Sequence, residues 1–134
     1  MSDNVKNNEI VQLSLPFNPA YVFSVRLTAS SIATRCGFDV DEVEDIKVAI
    51  SEACTFIINK LPKKAGNVFT VEFVIQQDAV RATIRTKSAV DVDSLEDDMS
   101  IVMIKALMDE FEISNVENEY IQMSLSKKHK TSLL

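Results

Sequence analysis

The side chain best placed for chemistry in this sequence is the carboxylate of Glu52. It stands on the polar flank of the stretch DVDEVEDIKVAISEACTFIINKL, Asp39 to Leu61. Taken alone it reads as a solvated or hydrogen-bonded carboxylate, and the residues that could recruit it are scarce. His129 is the only histidine and lies in the tail, which nearly excludes triads, histidine acid–base work and most zinc sites. Cys36 and Cys54 make neither a metal pattern nor a disulfide framework, so both read as buried thiols. The two glycines, Gly37 and Gly66, both fall beside helix ends. A phosphate-cradling loop needs glycines so that backbone N–H groups can approach the anion, and the sequence offers no such loop.

Charge narrows the partners. A net charge of −6 argues against direct binding of DNA or RNA, which needs a basic field. The one basic run, Lys127, Lys128, His129 and Lys130, reads as a frayed, solvated end. No apolar run approaches the roughly 18–20 residues that span a bilayer. Met1 to Glu9 is polar rather than signal-like, so the expected location is the cytoplasm, without a membrane partner. At 134 residues a single domain over 1–134 is expected, with short flexible ends at 1–8 and 127–134.

The elements that must position Glu52 follow from pattern. Val43, Ile46, Ile50, Ala53, Cys54, Ile57 and Leu61 recur at helical spacing. Asp39 and Glu42 form a capping-box signature, and the acids Asp41, Glu42, Glu44 and Asp45 suit the positive end of the helix dipole. Upstream, Glu9 to Leu15 alternates as an edge strand ended by Pro16. Asn18-Pro19 opens a helix that runs to about Cys36, although its apolar residues are only roughly periodic. Downstream of a breaker at Leu61 to Asn67, Val68–Gln76 and Ala79–Thr86 are strands joined by a tight turn at Gln77-Asp78. A polar loop from Lys87 to Met99 precedes a helix over Ser100–Glu110. Strands at Phe111–Asn115 and Tyr120–Ser126 flank a turn at Glu117-Asn118. The order β-α-α-β-β-α-β-β predicts an α/β (α+β) two-layer sandwich, a mixed or antiparallel sheet covered on one face by helices.

The phrases LPFNPAYVFSVRLTASSIA, GFDVDEVEDIKVAISEACT and ALMDEFEIS resemble the bacterial anti-sigma factor serine kinases of stress response and sporulation. These belong to the GHKL superfamily, with the histidine-kinase-like ATPase (Bergerat) fold: a mixed sheet with three helices on one face. The resemblance runs from about Leu13 to Ser126. It implies a kinase that binds a sigma factor and phosphorylates a serine on a small antagonist, with ATP between helices and sheet. It also implies a homodimer.

Three motifs carry that chemistry in the family, and each is altered here. A helical glutamate, the general base, matches Glu52, but the magnesium-binding asparagine four residues on is Phe56, which offers no oxygen. Asn59, one turn further, points about 60° away from that direction. In IRTKSAVDVD, Arg85 stands for the adenine-reading aspartate and Lys87 for a glycine, with Asp91 as a later loop acid. Arginine only donates, so it cannot accept the adenine amino proton. In DDMSIVMIK, Asp97, Asp98 and Ser100 replace the glycines that would support the triphosphate.

The expectation is therefore a degenerate member, a pseudoenzyme. It has no catalytic residue beyond the vestigial Glu52, no ATP or Mg²⁺ cofactor, and a protein partner, sigma factor or antagonist, contacted through Arg26 of the RLT-like phrase. The alternative is a divergent ATP-dependent serine protein kinase that keeps nucleotide by altered contacts. A third reading is a structural or dimerisation role for the edge strand.

Overall fold

The computed structural model describes residues 8–62, 66–95 and 98–129. In chain order it comprises β1 (Glu9–Pro16), a 3₁₀ turn at Pro19–Tyr21, α1 (Val22–Arg35), α2 (Val40–Lys60), β2 (Val68–Ile75) and β3 (Ala79–Lys87). A 3₁₀ turn at Val92–Leu95, α3 (Met99–Leu107), β4 (Glu110–Val116) and β5 (Tyr120–Lys128) complete it. The five strands form one sheet in the order β1-β2-β3-β5-β4, which leaves β1 on an edge as its alternation suggested.

Every neighbouring pair is antiparallel, so the sheet is not mixed. Two consecutive helices return the chain from β1 to pair antiparallel with β2. β5 then lies between β3 and β4, which run the same way and so do not pair. Alternation sorts the sheet's two faces. Phe69, Val71, Phe73, Ile84, Met123 and Leu125 are buried beneath the helices, while Glu72, Arg81, Arg85 and Gln122 lie on the open face.

The organising helix forms as its caps dictate. Glu42 N donates to Asp39 Oδ1 and Asp39 N donates to Glu42 Oε1, both at 2.8 Å. Ile46, Ile50, Ala53, Cys54, Ile57 and Leu61 are buried in the single core. The helix after Asn18 begins as a 3₁₀ turn, with Ala20 N donating to Asn18 Oδ1 at 2.9 Å, and becomes α-helical only at Val22.

Three boundaries differ from the sequence reading. α3 ends at Leu107, because Asp109 and Glu110 are claimed by the sheet: Asp109 N donates to Ser126 O at 3.0 Å and Lys128 N to Asp109 Oδ2 at 2.6 Å. Cys36 caps α1 rather than lying inside it, and is half-buried rather than buried. The third is the tail. Lys127 and Lys128 belong to β5, and Lys127, 5% exposed, donates to Asp45 Oδ2 at 3.1 Å and to Leu107 O at 2.7 Å. His129 stacks on Phe38 with ring centroids 5.1 Å apart. Gly37, at φ +89°, makes room for that ring, since a Cβ there would lie 3.3 Å from His129 Nε2. The frayed-end reading is therefore wrong for residues 127–129. Residues 1–7 and 130–134, and with them Lys130, lie outside the described residues.

Candidate functional site

The altered motif positions on the helices meet along the seam between α2 and α3. Asp45 near one end of α2 meets Lys127, which also bonds the last carbonyl of α3; Lys60 at the other end meets Asp98, the cap of α3. The two helices therefore run antiparallel. Asp45, Glu52, Phe56 and Lys60 share one flank by helical spacing, and that flank follows the seam.

Each residue on the seam has a definite state. Glu52 is half-exposed. Phe56 is 2% exposed and belongs to the core. Asn59 lies on the exposed side of α2. At the start of α3, Asp98 Oδ1 accepts from Ser100 N at 2.9 Å while Oδ2 receives Lys60 Nζ at 3.1 Å. These bonds, the backbone one first and then Lys60, hold the Asp98 carboxyl below the usual carboxylate range against the opposing effect of burial. The helix N-terminus thus carries its own carboxylate, paired with its own ammonium. Asp97 lies outside the described residues.

Arg85 and Lys87 are not part of this seam. Their register places them on the open face, where Arg85 Nε donates to Gln122 Oε1 at 3.0 Å and the guanidinium lies 5.2 Å from the Tyr120 ring centroid. Successive strand residues face opposite sides, so the residue turned toward the helices is Thr86. It is 3% exposed, and its hydroxyl donates to Val68 O at 2.9 Å. Arg85, at the altered aspartate position, therefore points away from the helices. Asp91, in the loop, organises its own 3₁₀ turn by accepting from Asp93 N at 3.0 Å.

Measured against a magnesium nucleotide, the donor set does not fit. Phe56 brings a ring where an oxygen ligand is needed, Thr86 spends its hydroxyl on backbone, and Asp98 sets a negative charge where phosphate oxygens would approach. A cleft of ≈ 570 Å³ opens beside the altered position Lys87, between Pro62, Asn67, Lys87, Ser88, Val90 and Glu119.

A second feature is the outer face of α1, which sequence reading only half found. Arg26 is half-buried beside Glu44; that carboxyl is held low first by its bond from Lys47 at 2.8 Å and, further off, by Arg26. Next to Arg26 stand Phe23, 63% exposed, and Leu27, 55% exposed, one turn apart. α1 therefore has two apolar stripes: Val25, Ala29, Ile32 and Ala33 inward, Phe23 and Leu27 outward. The second stripe is what blurred its periodicity, and that irregularity was the signal that could have revealed an apolar outer face.

The antiparallel five-stranded sheet covered by three helices defines a two-layer α/β architecture. The profile of the histidine kinase-like ATPase domain matches residues 15–126, and the chain belongs to that family. Within it the chain stands with the anti-sigma factor kinases. It is 28% identical over 141 residues to the serine-protein kinase RsbW of Bacillus subtilis, covering 90% of this chain and 88% of that one. It is also 28% identical over 140 residues to RsbW of Oceanobacillus iheyensis, with coverage of 90% and 88%. A crystal structure of the RsbU and RsbW domains of a Mycobacterium tuberculosis protein superposes with a TM-score of 0.68 at 18% identity, over 90% of this chain and 32% of that longer one.

Proposed function

We propose that this chain is an anti-sigma-type regulator that acts by holding a protein partner, a sigma factor or its antagonist, and has given up ATP binding and kinase activity. The observation that carries the reading is Phe56, packed into the core at 2% exposure at the position where the family needs a magnesium ligand. Without Mg²⁺ to neutralise phosphate oxygens, phosphoryl transfer loses its main electrostatic support, and Glu52 alone cannot replace it.

What remains is the outer face of α1. Arg26 supplies a planar donor fork for a partner carboxylate, and Phe23 and Leu27 supply apolar contact beside it. The family likeness further suggests a homodimer and a cytoplasmic, stress- or sporulation-linked role in transcription regulation, without direct nucleic-acid contact. Among the described residues no helix is long and apolar enough to cross a membrane.

The test is capture of the cognate sigma factor or antagonist from the source cell by tagged protein, in EDTA with nucleotide removed. Capture that persists without nucleotide and fails with Arg26→Glu or Phe23→Ser supports the reading. Capture that requires Mg-ATP, or is indifferent to both substitutions, refutes it and favours a divergent serine kinase.

A further inference from the structure

α3 is apolar on two opposite sides. In MSIVMIKAL, Ile101 and Ile104 are 2% and 0% exposed and face the core. Met99, Val102 and Met103 are 72%, 53% and 40% exposed, and Ala106 is exposed with them. At about 100° per residue these four lie within one stripe, roughly 180° from the buried pair. The spacing i, i+3, i+4, i+7 is the pattern that buries against another helix. Ser100 and Lys105 are the only polar residues in the nine.

The surroundings say what fits. Along the solvent side of α2 run Asp41, Glu44, Asp45 and Glu52. Glu44 is answered by Lys47, and Asp45 by the buried Lys127; Asp41 and Glu52 have no cation partner among the described residues. Glu52 lies on the flank that borders α3. A second copy would bring one acidic row against another in a chain of net charge −6. A cationic partner would be drawn to the same place.

We infer that the seam of α2 and α3 is a docking groove for an amphipathic helix of a partner protein. The occupant carries a short aliphatic stripe that seats on Met99, Val102, Met103 and Ala106, and basic residues along the edge that faces Glu52. Methionines suit such a surface because their unbranched thioethers repack around different shapes. This gives Glu52 a role as counter-charge rather than base. The surface is distinct from the Arg26 face, and the inference rests on the proposed loss of ATP binding at this seam.

The experiment uses the full chain, ¹⁵N-labelled, and two synthetic helix-forming peptides with leucines at i, i+3, i+4 and i+7. One carries lysines on the polar face, the other glutamates. The expected result is saturable binding of the lysine peptide, weakened by salt, with amide shifts clustered on residues 99–106 and around Glu52. Val102→Asp weakens it roughly tenfold; the milder Val102→Thr gives a smaller loss in a fold whose amide spectrum is otherwise unchanged. Glu52→Lys weakens the lysine peptide and strengthens the glutamate one. Equal binding of both peptides, no saturable binding, or shifts centred on Phe23 and Leu27 would overturn the inference. So would self-association that Val102→Asp abolishes, since a second copy would then be the occupant.

Discussion

Phe56→Asn restores the residue type that a magnesium-binding relative would carry, and it should destabilise the protein rather than revive it. The ring is 2% exposed and packed in the core, so truncation costs about 3–5 kcal/mol in transfer and cavity terms. The new amide adds about 1–3 kcal/mol if its donors find no partner. A domain of this length is stable by roughly 7–20 kcal/mol, so a loss of about 4–8 kcal/mol is severe. With a urea slope of about 1.5 kcal/mol/M, the denaturation midpoint falls by about 3–5 M. Phe56→Leu, which keeps most of the volume, should cost no more than about 1.5 kcal/mol. The assay is urea denaturation followed by circular dichroism, with and without Mg-ATP. An asparagine variant as stable as the parent, and further stabilised by millimolar Mg-ATP, would show that position 56 lines an open nucleotide cavity. It would refute the reasoning.

Asp98→Ala removes a helix cap and the partner of Lys60, and should cost about 1 kcal/mol in thermal or urea unfolding. Because the folded carboxyl is held low, that contribution is present above the ordinary carboxylate range and fades as pH falls through it; the variant's deficit should shrink in acid. Burial raises the Cys54 thiol from 9.0 to about 12, so it should resist a thiol reagent at pH 8 until the chain unfolds, while half-buried Cys36 reacts first. The raised value also means that stability falls as pH climbs between 9.0 and about 12, with the buried thiol giving up its proton only on unfolding. At the β4–β5 turn Glu117 and Asn118 both sit at φ 56°, so Glu117→Asn with Asn118→Gly should raise stability by about 1 kcal/mol, read as a higher melting temperature.

The parts of the fold legible from sequence were those specified locally. α2 announced itself because its cap, dipole charges and apolar face all agree within one stretch. The hairpin turns and the edge position of β1 were readable for the same reason. What escaped depends on distant residues. Lys127 looked like tail because its partner Asp45 is 82 residues away and its other acceptor is the end of α3. The last turn of α3 was overestimated because Asp109 and Glu110 suit a helix and are taken instead by a strand that arrives later in the chain. At the site, Phe56 was legible as a poor metal ligand from its chemistry alone. The face of Arg85 was not, since a shift of one residue in strand register exchanges outside for inside. The apolar outer faces of α1 and α3 were missed because sequence periodicity does not tell a buried stripe from one awaiting a partner.

The central claim, a nucleotide-binding architecture that no longer holds nucleotide, is tested most directly by isothermal titration calorimetry of the purified full chain with Mg-ATP. The account predicts no saturable heat at millimolar nucleotide. A saturable isotherm that disappears with Glu52→Ala and on removal of magnesium would contradict it.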